Sequence, residues 1–220
     1  MNTEQILELL SHISVIVASV VAIFGVSAWK REFKGKRDME LAENVLELFY
    51  RAERAIEAIR SPWSHSGEGQ ARKAEADETP EQKEARDRAY AVFKRIQDHG
   101  GIFDQLYTLR FRFMARFGRD RAKPFDEMKR IIDTISVSAR RLAELWADQL
   151  RRGDQPRQST EEQIKKHQAV IWDGCGGEED QIAPCVKSII EEIEGVCRPI
   201  IEGKTTMWCR LWGWFRGKWD

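Results

Sequence analysis

Four cysteines, Cys175, Cys185, Cys197 and Cys209, with His167 upstream, are the side chains of this 220-residue chain whose types could hold a metal ion. Structural zinc takes two ligands from one turn, usually cysteines two to four residues apart, and these spacings contain no such pair. Free thiols fit the pattern better. Gly203, Lys204, Thr205 and Thr206 spell the end of a phosphate-binding loop. That loop needs a glycine five residues before Gly203, where this chain has Arg198, and a strand where the pattern is helical. A helix-terminating Gly-Lys turn accounts for the same residues. His12 is ionisable within an apolar stretch, the setting of an intramembrane proton carrier, but it lies near the outer end, where an interfacial histidine is ordinary. No other group of His, Ser, Cys or carboxylates has the context of a catalytic constellation. The sequence therefore predicts no catalytic residues, no cofactor-binding residues, no metal ligands and no enzyme.

Two basic and aromatic stretches offer binding chemistry instead. RFRFMARFGRDRAK, from Arg110 to Lys123, mixes phenylalanine with arginine, and such side chains can stack bases and hold phosphates. Helical spacing puts Phe113 and Phe117 on a core stripe and Arg112, Arg116 and Arg119 on the opposite face. A solvated face, or one docked on Glu191, Glu192 and Glu194, is the favoured reading, with anionic lipid head groups as the alternative. The final segment, MWCRLWGWFRGKWD, holds Trp208, Trp212, Trp214 and Trp219 beside Arg210, Arg216 and Lys218. Indole rings and basic groups favour the head-group region of a bilayer, so this tail is expected either on an inner leaflet or packed into the helical domain.

These stretches must be positioned by what precedes them. From Leu9 to Trp29 run 21 uncharged residues, which as a helix rise about 31 Å, close to the thickness of a bilayer core. No Lys or Arg precedes the run, whereas Lys30, Arg31, Lys34, Lys36 and Arg37 follow it, and Trp29 fits an interfacial belt. The expectation is a single-pass bacterial inner-membrane protein with its amino terminus outside and its C-terminal domain cytoplasmic. Ser14, Ala18, Ala22 and Gly25, with Ser11 before them, fall three or four apart and make a narrow helix-packing face. That face predicts a homo-oligomer.

Charge is balanced, 36 basic against 36 acidic residues, and the pI is near 6.9. This excludes the domain-wide basic excess of a nucleic-acid binder. Leu41, Val45, Leu48, Ala52, Ile56 and Ile59 mark an amphipathic rod, stopped by SPWSHSGEG and followed by a polar linker. Thr79, Pro80 and Gln82 supply a capped helix start, with an end at Gly100-Gly101. Further helices are expected from Ile102 to Phe117, from Phe125 to before Gly153, from a cap at Ser159 to Trp172, and across Ile182 to Val196. Whether the span and the rod join through Gly35 is left open. The fold class is all-α: an N-terminal transmembrane helix, then a cytosolic helical bundle with a long first rod. The expected parts are 1–37, anchor and basic flank; 38–60, rod; 61–79, loop and linker; 80–203, bundle; and 204–220, tail.

The run from Ala28 to Gly69, AWKREFKGKRDMELAENVLELFYRAERAIEAIRSPWSHSGEG, and the later EEIEGVCRPIIEG resemble a group of bacterial single-pass membrane proteins with a cytoplasmic helical domain. The resemblance covers the span, the rod, the loop and part of the last helix. It implies a membrane-tethered bacterial protein and brings no activity with it. The residues together predict a membrane-anchored, non-catalytic helical interaction or scaffold protein. Its expected partners are membrane lipid, copies of itself and an unidentified cytosolic or membrane protein, with no nucleic acid and no cofactor. The alternative is a membrane-acting effector or pore-forming subunit in defence or toxicity.

Overall fold

Apolar side chains spaced three and four apart demand helices, and the computed structural model is built from them. It describes residues 3–63, 68–69, 72–74, 77–152, 158–174 and 180–203, among which no strand occurs. Helix α1 is Thr3–Ile59, α2 Pro80–Asp98, α3 Gly100–Phe117, α4 Lys123–Arg152, α5 Gln158–Ile171 and α6 Ile182–Ile201. A short 3-10 turn, Asp120–Ala122, leads into α4.

Helix α1 runs through Gly35 without a break, so span and rod are one element. At the start of α2, Thr79 and Gln82 form the expected reciprocal cap: the Thr79 hydroxyl accepts from the Gln82 N–H and the Gln82 side chain accepts from the Thr79 N–H. Its end at Asp98, capped by His99, lies within one residue of the expected His99, but the terminating role expected of Gly100-Gly101 is corrected. Gly100 and Gly101 begin α3, because His99 alone makes the turn. The His99 N–H bonds the Arg95 carbonyl at 3.1 Å and its own carbonyl accepts from Ile102 at 3.0 Å. Gly118 closes α3 as expected, its N–H on the Met114 carbonyl at 2.9 Å. Helix α5 starts at Gln158, so Ser159 lies in its first turn instead of capping it.

By contacts the chain divides into two compact units, residues 44–198 and residues 1–43 with 199–220. In the first, α4 sends Met128, Ile131, Ile135, Ala139, Leu142 and Leu145 inward from one stripe, packing on α2 and α5. The side of α2 buried by this packing is small, Ala85, Ala89, Ala91 and Val92, so two helix axes can approach closely. Phe125 of α4 meets Phe49 of α1 edge-on at 4.9 Å and Phe113 of α3 at 5.4 Å, and Trp146 stacks on Trp172 at 5.8 Å. In the second unit Leu41, Ala42 and Ile200 are buried.

The expected membrane crossing is corrected. Among the described residues no helix is long and apolar enough to cross a membrane, which overturns the single-pass inner-membrane topology and its outward amino terminus. The reason is dilution. Between His12 and Val26 the described large apolar side chains, Val15, Val17, Val20, Val21, Phe24 and Val26, alternate with His12, Ser14, Ala18, Ser19, Ala22 and Gly25, which add little or oppose transfer. From Lys30 onward the same helix is charged.

Candidate interaction surface

The surface begins on α1. Val15, Val17, Val20, Val21, Phe24, Val26, Trp29 and Phe33 are 45–68% exposed, and at 100° per residue they point in several directions around the helix. A helix that is apolar on several sides is ordinarily buried. Trp29 stacks on Phe33 with ring centres 5.8 Å apart, and the Arg37 guanidinium lies over the Phe33 ring at 5.7 Å. Residues four apart on a helix share a face, so this row follows from the sequence, although only Trp29 and Arg37 were expected to matter. Lys30, Arg31, Lys34 and Lys36 are exposed around it. Ser14, Ala18, Ala22 and Gly25 are also exposed, and a Cβ built on Gly25 meets nothing within 4 Å.

The other expected candidates separate. Trp208, Trp212, Trp214 and Trp219 lie outside the described residues, as do Cys175, Cys209 and Lys204 to Thr206. Gly203 has φ +68° and its N–H bonds the Ile200 carbonyl at 3.2 Å, a helix-ending turn. Cys185 is exposed, whereas Cys197 is buried on α6, where desolvation pushes its thiol up to about 12 and leaves it protonated at neutral pH. Phe113 is buried, Phe117 is half-buried, and Arg112, Arg116 and Arg119 face solvent, the arrangement that helical spacing predicted. Glu194 is engaged elsewhere, by Arg198 at 2.8 Å and by the Tyr50 hydroxyl. The hydrogen bond from Arg198, followed by that from Tyr50, lowers the Glu194 carboxyl below its usual range.

Periodicity gave no sign of the polar contacts that hold the helix ends. Arg60, 2% exposed, donates from Nε to the Val170 carbonyl at 2.8 Å and from Nη2 to the Ala169 carbonyl and Asp180 carboxylate at 2.9 and 2.8 Å. Asp180 also caps α6, accepting from Ile182 and Ala183. One guanidinium thereby satisfies the end of α5 and reaches the start of α6. Arg95 reaches the end of α1 and the residues after it, donating to the Ile59 carbonyl at 3.4 Å, the Ser61 carbonyl at 2.6 Å and Glu68 at 2.7 Å. The polar linker is anchored at its described residues too: Glu78, 3% exposed, is held by Arg72 and Arg86 at 2.6 Å each, and Arg72 also reaches Asp87. A Cβ on Gly69 would stand 2.5 Å from the Asp87 carbonyl oxygen, so this close approach requires glycine.

One pairing has the residue types of a nucleophile and base. His167 Nδ1 lies 3.3 Å from Ser138 Oγ, and burial, aided by Lys166 and Arg141, lowers the imidazole pKa. Ser138 is 4% exposed on the packed side of α4. A serine so enclosed cannot meet a substrate, and the pair ties α4 to α5. Among the described residues no three His, Cys, Asp or Glu side chains gather closely enough to hold a metal ion. No family model, no curated protein and no solved structure matches the chain.

Proposed function

We propose that this chain is a non-catalytic helical interaction protein that self-associates, with the apolar length of α1 from Val15 to Phe33 as its contact. The observation that supports this is the exposure of eight large apolar side chains on that length. Burying a Val or Phe side chain is worth about 1.5–3 kcal/mol, and an exposed apolar surface of this kind marks an interaction site. A second copy supplies a matching surface without any further component, and Ser14, Ala18, Ala22 and Gly25 offer the side along which two helix backbones approach most closely.

The test is sedimentation velocity of the full chain beside the variant Ala18→Leu plus Gly25→Leu. Both positions are exposed in the single chain and open space surrounds Gly25, so leucine there adds no clash at position 25, where it raises helix propensity, and at position 18 it gives up little of alanine's. The expected result is an oligomer whose dissociation constant rises at least tenfold in the variant. A wild-type chain that stays monomeric, or an oligomer indifferent to both leucines, overturns the proposal.

A further inference from the structure

Between α2 and α4, beneath Arg72 of the preceding loop, lies a groove of about 470 Å³. Its apolar wall is Ala89, Tyr90 and Phe93 from α2 with Ala143 and Ala147 from α4. Alanines at these positions leave the space, since a larger side chain on either helix would fill it. Four arginines line it: Arg72, Arg86, Arg140 and Arg141. They differ in how far they are already committed. Arg72 and Arg86 hold the buried Glu78 carboxylate, and breaking such a pair leaves a buried charge, so both remain where they are. Arg141 is joined to Glu144 at 2.7 Å, but both are about half-exposed, and such a pair is easily exchanged. Arg140 is exposed and has no ion-pair partner among the described residues. Two acids also line it, Glu144 on Arg141 and Asp148 on Arg151 at 2.9 Å.

We infer that this groove is a binding site for a small planar aromatic anion, its ring against Tyr90 and Phe93 and its phosphate or carboxylate on Arg140 and Arg141. The volume falls within the range of small-molecule sites, which combine an apolar lining with a few charged groups that fix orientation. Guanidinium is suited to the task because its fork pairs with either head group in bidentate fashion. An anion without a ring leaves the apolar wall wet, and a ring without an anion leaves Arg140 unpaired. Glu144, displaced from Arg141, returns to solvent at little cost because it is already exposed. The site lies wholly within the unit of residues 44–198 and does not depend on self-association.

The experiment is calorimetric titration of the full chain at low salt with phenyl phosphate, benzoate and inorganic phosphate. Phenyl phosphate should bind at least tenfold more tightly than inorganic phosphate, and whether benzoate matches it identifies the head group. Arg140→Gln plus Arg141→Gln should weaken phenyl phosphate at least tenfold, Phe93→Ala should weaken it severalfold, and Arg112→Gln on α3 should leave it unchanged. Arg140→Gln alone removes no ion pair, so its loss of binding stands even if the double variant melts early. Absence of saturable binding below about 10 mM, equal binding of inorganic phosphate, or full affinity in the Arg140 variants overturns the inference.

Discussion

Arg60 shows how much one side chain can hold. Its guanidinium reaches the Val170 and Ala169 carbonyls and the Asp180 carboxylate, and its backbone carbonyl accepts from the Asp173 N–H at 2.7 Å. Arg60→Ala takes the cation from Asp180, which keeps only its α6 capping bonds, and removes the Arg60 donor from two carbonyls, and removing one partner of a buried pair costs about 3–5 kcal/mol. Urea unfolding, followed by the fluorescence of the Trp146–Trp172 stack, should show a loss of that size, with Arg60→Lys intermediate because one ammonium cannot reach every acceptor. His167 predicts a pH limb. Its folded pKa lies below the ordinary 6.5, so the unfolded chain takes up a proton first as pH falls. Its contribution is therefore fully present above pH 6.5 and declines as pH drops through the lower, folded value. Urea midpoints measured from pH 7.5 to 5 should fall, and His167→Gln, which can still bond Ser138, should flatten that part of the decline.

Among the elements, α2 depends most on local chemistry, because its buried side is mostly alanine and its other side is charged. Thr79→Ala removes half of the capping box at an exposed site and should cost about 1 kcal/mol, measurable as a lower melting temperature with unchanged helical signal. That cap was legible because all of its chemistry lies within four residues. The stripes of α4 and α6 and the closure of α3 at Gly118 were legible for the same reason. What escaped were contacts between residues far apart in sequence. Arg60, standing before Ser61-Pro62, has the look of a solvated helix end, and nothing local pairs it with Asp180. Gly100-Gly101 was read as a stop because glycine commonly follows a helix, yet one turn at His99 let both glycines open the next. The apolar run was read from its length, its uncharged residues and the basic flank after it, and that reading gave too little weight to the serines, alanines and glycine that reduce its transfer free energy. The α2–α4 groove was invisible because Arg140 and Arg141 enclose it only together with Tyr90 and Phe93, some 50 residues earlier.

Over the whole molecule, 36 basic and 36 acidic residues cancel, and the pI near 6.9 places neutrality at physiological pH. Net charge keeps copies apart, so its absence combined with the exposed apolar length of α1 favours association most strongly near pH 7. Below that point the chain is net positive and above it net negative. The apparent dissociation constant should therefore rise on moving to pH 5.5 or pH 8.5 at low salt, and added salt should reduce the difference. Sedimentation at three pH values checks this, and an optimum far from neutrality would remove charge balance as the cause. The Arg60–Asp180 contact also sets a schedule. The two residues are 120 positions apart, and at about 5–20 residues per second a ribosome takes roughly 6–24 s to make the second after the first. Throughout that interval the end of α1 exists without its carboxylate partner, so this junction closes late in synthesis however early the helices themselves form.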